Sequence, residues 1–384
     1  MLTLGIASHR SDTAPAEALQ WRPAFPAAVF ELEQRHARGE STGPSDAELR
    51  NAVGRAPLQP LGYRLLARRA EAGKQPERAV ALYRLAATRG PRDIPSLAWV
   101  ARHELQIGDF ASALVRFDQI MRVQPEISHR LNQILSAVAA HGPAQRDFAR
   151  MLKRNPPWRE AFLVRLIGRS EAVAPIFPLV ETLRTSPPGL SDRELATWIA
   201  RLGADGQWGA AYLIWVQSLD PEASQRIGNV FNGGFEIEPS HAGFDWDYKN
   251  APGTSISRSQ TAGATGNFAL RLEFEDGRVK FPKLQQMLAL APGEFRLRGR
   301  VRLDDLRSER GLVWTLDCVG TGERLAESAA FSGRREWMPF EVPFVVPDDK
   351  CGGQLLVLRL PARVPAETRI GGVAWFDDLS IKSE

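Results

Sequence analysis

Apolar residues recur every three to four positions through the first part of the chain, then alternate with polar ones from about Asn229 onward. The first spacing lines up side chains on one face of a helix, and the second lines them up on one face of a strand. The switch predicts a helical region over 23–225 and a β region over 229–384, with 1–22 as a separate N-terminal segment.

The helical pattern itself repeats. Prolines stand at Pro23, Pro57, Pro91 and Pro125, and the differences 57−23, 91−57 and 125−91 are each 34. Leu32, Leu66 and Val100 keep the same step, as do Leu49, Tyr83 and Phe117. A period of 34 belongs to helix-turn-helix units that stack into a solenoid. In the clearest copy, Ala101 to Pro125, Gly108-Asp109-Phe110 supplies the turn, Ala113 and Phe117 the packing, and Pro125 the stop. This copy resembles the tetratricopeptide family.

Past Pro125 the period drifts, but helical patterns continue over Ile127–Ala139, Ala144–Lys153, Arg159–Gly168, Glu171–Arg184, Ser191–Leu202 and Trp208–Leu219. Ser191 and Glu194 have the spacing of a capping box. A solenoid offers a groove for a protein segment. Trp99, Trp158, Trp198, Trp208 and Trp215 either line that groove or pack between helices, and helical spacing favours packing.

In the β region, nine runs read as strands, separated by Gly, Pro and Asp clusters: 244–249, 254–259, 268–275, 284–290, 294–303, 312–319, 337–346, 354–360 and 373–381. That number of strands at this spacing predicts an antiparallel sandwich. Phe244, Trp246 and Tyr248 alternate with Asp245 and Asp247, so the aromatics share one face, which is either core or an exposed platform. Trp314 alternates with Leu312, Leu316 and Cys318 and belongs to the core. Trp337 stands opposite Met338, Phe340, Val342 and Phe344 and is expected to point outward.

Between Phe295 and Leu303, Arg296, Arg298, Arg300 and Arg302 fall on one face. The simplest expectation is cross-strand pairing with Glu273 and Glu275. The sharper one is an anionic glycan gripped through its carboxylates.

Five stretches in order, Asn232 to Glu236 (NGGFE), Gly266 to Leu272, Glu294 to Val301, Trp337 to Phe344 and Trp375 to Leu379, resemble jelly-roll carbohydrate-binding modules. The whole chain is similar to bacterial repeat proteins of exopolysaccharide loci that carry such a C-terminal domain. The resemblance implies a structural calcium held by Glu236 and one of Asp377 or Asp378, with backbone carbonyls completing the shell. The alternative is that Glu236 is a solvated strand end and the two aspartates form a bulge. It also implies sugar stacking, for which Trp246, Tyr248 and Trp337, with Arg298 and Arg300, are the candidates.

Composition changes little. The net charge of +4 and isoelectric point near 9.2 come from arginines spread along the chain, so no nucleic-acid partner is implied. Cys318 and Cys351 match no zinc or redox spacing and are either a disulfide or two buried thiols. Met1 to Ala7 is apolar but too short to span a bilayer, so membrane association is expected only through an anchor lying upstream. The paired acids Asp304-Asp305, Asp348-Asp349 and Asp377-Asp378 point to opposite faces of a strand, and no nucleophile, metal-protease or phosphate-loop motif is present.

The expectation is therefore a non-catalytic scaffold joining a protein partner to a polysaccharide at the periplasmic side of a bacterial envelope, or in the cytoplasm if no export signal lies upstream. The competing expectation is a pure protein adaptor with no sugar site.

Overall fold

The computed structural model describes Ser8 and residues 10–384; the apolar stretch Met1 to Ala7 lies outside the described residues. The chain forms a helical N-terminal region followed by two antiparallel five-stranded sheets. It divides into two compact units, one of the described residues up to Leu166 with Ala174–Leu190, the other of Ile167–Val173 with Ser191–Glu384.

In the first unit the period seen in the sequence is the period of the helices. Helices Pro60–Ala72 and Pro76–Arg89 are followed by Ile94–Gln106 and Phe110–Val123, and 94−60, 106−72, 110−76 and 123−89 are all 34. Pro26, Pro60 and Pro76 each open a helix, where the N–H that proline lacks would have no helical partner. Gly108 takes a φ of +78° in the turn, and Asp109 caps the next helix by accepting the N–H of Ser112. Ala67, Ala70, Ala79, Ala86, Ala101 and Ala113 are all buried, so neighbouring helices approach closely. The helix expected over Glu171–Arg184 runs only over Phe177–Arg184. Pro175 disfavours helical conformation in the residue before it, and Pro178 sits in the first turn, where it is tolerated.

Of the five tryptophans at helical spacing, Trp198 and Trp215 are core; Trp99, Trp158 and Trp208 are half-buried. Trp99 stacks on Tyr83 at 4.1 Å and donates its indole N–H to Glu71, which also accepts the Tyr83 hydroxyl.

Beyond Ile167–Val173, the second unit contains the helix Asp192–Ala204, capped by the expected Ser191/Glu194 box, and the helix Trp208–Gln217. Both belong to the unit of the sheets: the Trp208 ring lies against Gly203 and Gly353, and Trp215 meets Phe231 edge-on at 4.9 Å. The change from helix to strand and the division into compact units are thus separate boundaries.

Ten strands follow: β1 (Trp246–Tyr248), β2 (Thr254–Gln260), β3 (Phe268–Arg278), β4 (Leu284–Leu288), β5 (Gly293–Ser308), β6 (Val313–Cys318), β7 (Arg324–Glu327), β8 (Gly333–Val346), β9 (Gln354–Arg359) and β10 (Arg369–Ser383). One sheet runs β1-β4-β9-β6-β7 and the other β2-β3-β10-β5-β8. The strand missing from the sequence reading is β7, four residues with two charges and too short to show alternation.

The sheets share one core in which Trp246, Trp314 and Phe376 pack ring to ring at 5.8 and 5.4 Å. Cys318 at the end of β6 and Cys351 ahead of β9 form a buried disulfide with Cα atoms 5.2 Å apart.

Candidate functional site

The outer face of the second sheet carries the chemistry. β10 is its central strand, between β3 and β5. Ala374 and Phe376 are fully buried, so the intervening Trp375 must leave by the opposite face, where it is half-buried. Trp375 is in register with Arg271 on β3 and Arg302 on β5, and Arg271 with Ser257 on β2. Ser257, Arg271, Trp375 and Arg302 thus form one row across four strands. The guanidinium carbons of Arg302 and Arg271 lie 4.9 and 5.8 Å from the Trp375 ring centroid, within cation–π range.

The second exposed indole is Trp337 on β8, half-buried and outward as its alternation requires. The guanidinium carbon of Arg300 lies 5.1 Å from its ring centroid. The β2–β3 loop, residues 261–267, is laid over this end of the face. Its Ala262 carbonyl accepts the Trp337 indole N–H at 3.0 Å, and its Gly263 carbonyl and Thr265 hydroxyl accept from Arg300 at 3.1 and 2.9 Å. Beside it lies a hollow of about 350 Å³ lined by Arg298, Arg300, Pro339, Glu341 and Asp378 among others.

Several expectations are corrected here. Trp246 is fully buried, with its indole N–H on the Asn232 carbonyl at 3.2 Å, and Tyr248 is only 9% exposed; the face they share is core, not platform. The arginines of β5 do not pair with Glu273 and Glu275, because β10 lies between β5 and β3. Arg296 instead bonds Glu341 at 2.8 Å and the C-terminal residue Glu384. Arg298 reaches Glu341 at 3.5 Å, and Glu273 pairs with Arg271 on its own strand. Arg302 has only Glu336 at 3.9 Å and makes no hydrogen bond among the described residues. Trp375 is a surface residue that the sequence expectations do not single out. The signal was present: two aromatics in succession on one strand cannot both face the core.

The three acids expected at a metal site divide. The Leu379 N–H donates to the Gly233 carbonyl at 2.9 Å, which lays the NGGFE segment along a bulge of β10 between Asp377 and Ser380. Glu236 and Asp377 then both hold the half of the 261–267 loop that leads into β3. Glu236 accepts the N–H groups of Asn267 and Phe268, each at 3.0 Å, and Asp377 accepts that of Thr265 at 2.7 Å. Asp378, at φ +53°, turns away toward the Thr265 hydroxyl and Arg300.

Asp377 is fully buried, and burial pushes its carboxyl up to about 6, opposed by the Thr265 N–H. Among the described residues no group of three or more His, Cys, Asp and Glu side chains is placed to hold a metal ion. Glu236 and Asp377 fit the oxygen chemistry of calcium as two carboxylates, with the rest of a shell left to backbone carbonyls, while the Asp378 carboxylate takes the Thr265 hydroxyl.

No family model matches this chain, and no curated protein matches it. Among solved structures it is similar to a family 4 carbohydrate-binding module (14% identity, 40% of this chain and 99% of that one, TM-score 0.32). It is also similar to the family 22 xylan-binding domain of a Paenibacillus barcinonensis protein (12%, 39% and 91%, 0.27) and to a family 61 module in complex with β-1,4-galactotriose (17%, 41% and 99%, 0.29). These are likenesses of fold, and what those modules bind is a property of those modules.

Proposed function

We propose that this protein is a non-catalytic scaffold: a tetratricopeptide-like helical region holds a protein partner, and the sandwich holds a polysaccharide on the outer face of its second sheet. The observation that carries the reading is Trp375. An indole on the solvent side of a central strand, with two guanidinium groups over its ring at 4.9 and 5.8 Å, combines a flat apolar surface with nearby hydrogen-bond donors. A sugar ring asks for that pairing: its C–H face packs on the indole and its oxygens take the donors.

Calcium belongs to the same proposal. Glu236 and Asp377 would hold it, and it would supply the positive charge that the buried Asp377 carboxylate lacks. The setting we propose is bacterial exopolysaccharide synthesis or export on the periplasmic side of the envelope, supported by the Cys318–Cys351 disulfide, which is at home in an oxidising compartment.

The burial of Trp246 and Tyr248 favours a second reading, a protein adaptor whose sandwich binds no sugar. A glycan array probed with the full chain and with Trp375→Ala separates the two. The scaffold reading expects array signals that the variant loses; an empty array with folded wild-type protein overturns it in favour of the adaptor.

A further inference from the structure

Which class of polysaccharide fits this face follows from its inventory of donors and acceptors. Hydroxyl groups both give and take hydrogen bonds, so a surface built for a neutral sugar needs acceptors or amide side chains beside its aromatic platform. The five strands of the second sheet carry one amide side chain, Gln260, at the end of the edge strand β2.

Three acids of the outer face are engaged by its own arginines and loop, Glu273 by Arg271, Glu341 by Arg296 and Asp378 by the Thr265 hydroxyl, while Glu275 is exposed farther along β3. Around Trp375 this leaves donors in excess. Arg302 makes no hydrogen bond among the described residues, and its one carboxylate neighbour, Glu336, is 92% exposed at 3.9 Å. Arg298 is half-exposed and shares Glu341 with Arg296.

We infer that the ligand of this face is an acidic polysaccharide carrying ring carboxylates, of the uronic-acid class. Its sugar ring stacks on Trp375 while its carboxylate is taken by the guanidinium of Arg302 or Arg271. Arginine is suited to this task because its planar fork meets both oxygens of a carboxylate at once. Moving Arg302 to a ligand carboxylate gives up its pair with Glu336 at 3.9 Å and its cation–π contact with Trp375, both weak on a solvent-facing surface. The inference rests on the glycan-binding reading above and narrows it.

The test is affinity electrophoresis of the full chain in gels containing polymannuronate, polygalacturonate or polyglucuronate, each run beside the same polymer after its carboxyl groups are reduced to alcohols. We expect at least one acidic polymer to retard the protein and its reduced form to do so at least tenfold less. Arg302→Gln and Arg271→Gln, both at half-buried positions and checked for folding by circular dichroism, should each weaken binding about tenfold. Trp375→Ala should abolish it.

Equal retention by an acidic polymer and its reduced form, with the arginine variants unchanged, overturns the acidic class and leaves the glycan reading standing. Absence of retention by every polymer, acidic and reduced, by folded wild-type protein overturns both. Retention that Trp375→Ala leaves intact overturns this face as the site.

Discussion

Gly233 and Leu379 are joined backbone to backbone, the Leu379 N–H on the Gly233 carbonyl at 2.9 Å, although the two stand 379−233 = 146 positions apart in the chain. The contact admits no side chain: a Cβ on Gly233 would lie 1.8 Å from the Leu379 carbonyl oxygen. The glycine in the NGGFE segment is therefore a packing requirement of the last strand, and it sets where Glu236 stands relative to Asp377.

Gly233→Ala should destabilise the second unit by roughly 3 kcal/mol, because backbone on both sides must shift to relieve the overlap. At this size of unit that is a fall of roughly 6–12 °C in midpoint. Gly234→Ala is the control, since a Cβ there meets nothing nearer than 3.8 Å, and it should cost under about 1 kcal/mol. Thermal unfolding of the two variants checks the pair; equal losses would show that the close approach at Gly233 is not what matters.

The calcium part of the proposal predicts a stabilisation that depends on two acids and not on the third. At a free calcium concentration one hundred times the dissociation constant, the gain over chelator is about 2.7 kcal/mol. Glu236→Gln and Asp377→Asn should each lose this increment whatever they do to the baseline, because each removes one of the two carboxylates that meet at Thr265–Phe268. Asp378→Asn should keep it, since that side chain is turned to Thr265. Melting curves in calcium and in chelator, for all four proteins, provide the readout; a gain of equal size in Asp377→Asn would remove the ion from this site.

What the sequence disclosed follows from how local each signal is. The 34-residue period was legible because proline and glycine fix helix ends on their own, and the helices Pro60–Ala72 and Ile94–Gln106 keep that step. The outward position of Trp337 was legible because four apolar residues mark the other face. Trp246 and Tyr248 were ambiguous for a physical reason: alternation groups residues on a face without saying which face is covered. What settles them is tertiary, the burial of Trp246 against Trp314 and Phe235.

The partners of the β5 arginines depend on strand order, and β10, which separates β5 from β3, comes last in the chain. The cysteine pairing likewise waits on the 5.2 Å Cα separation that the turn before β9 creates.

Acid should weaken the turn that leads into β10 through one identifiable carboxylate. Glu367 accepts from Arg310 at 2.5 Å and from the Arg363 N–H at 2.7 Å, and the Arg310 guanidinium, with that N–H, holds its carboxyl down at about 2. In the unfolded chain the same group has an ordinary value near 4.3. As pH falls below about 5 the unfolded state takes up the proton first, so the contribution of Glu367 is complete above that range and is lost as pH drops toward 2.

Glu367→Gln should therefore be less stable than wild type at pH 6 and draw level with it near pH 2–3. Both proteins share the titration of every other acid, so the difference between their urea midpoints at the two pH values isolates Glu367. A difference that stays constant with pH would mean that the charge of Glu367 contributes nothing and that its hydrogen bonds alone hold the turn.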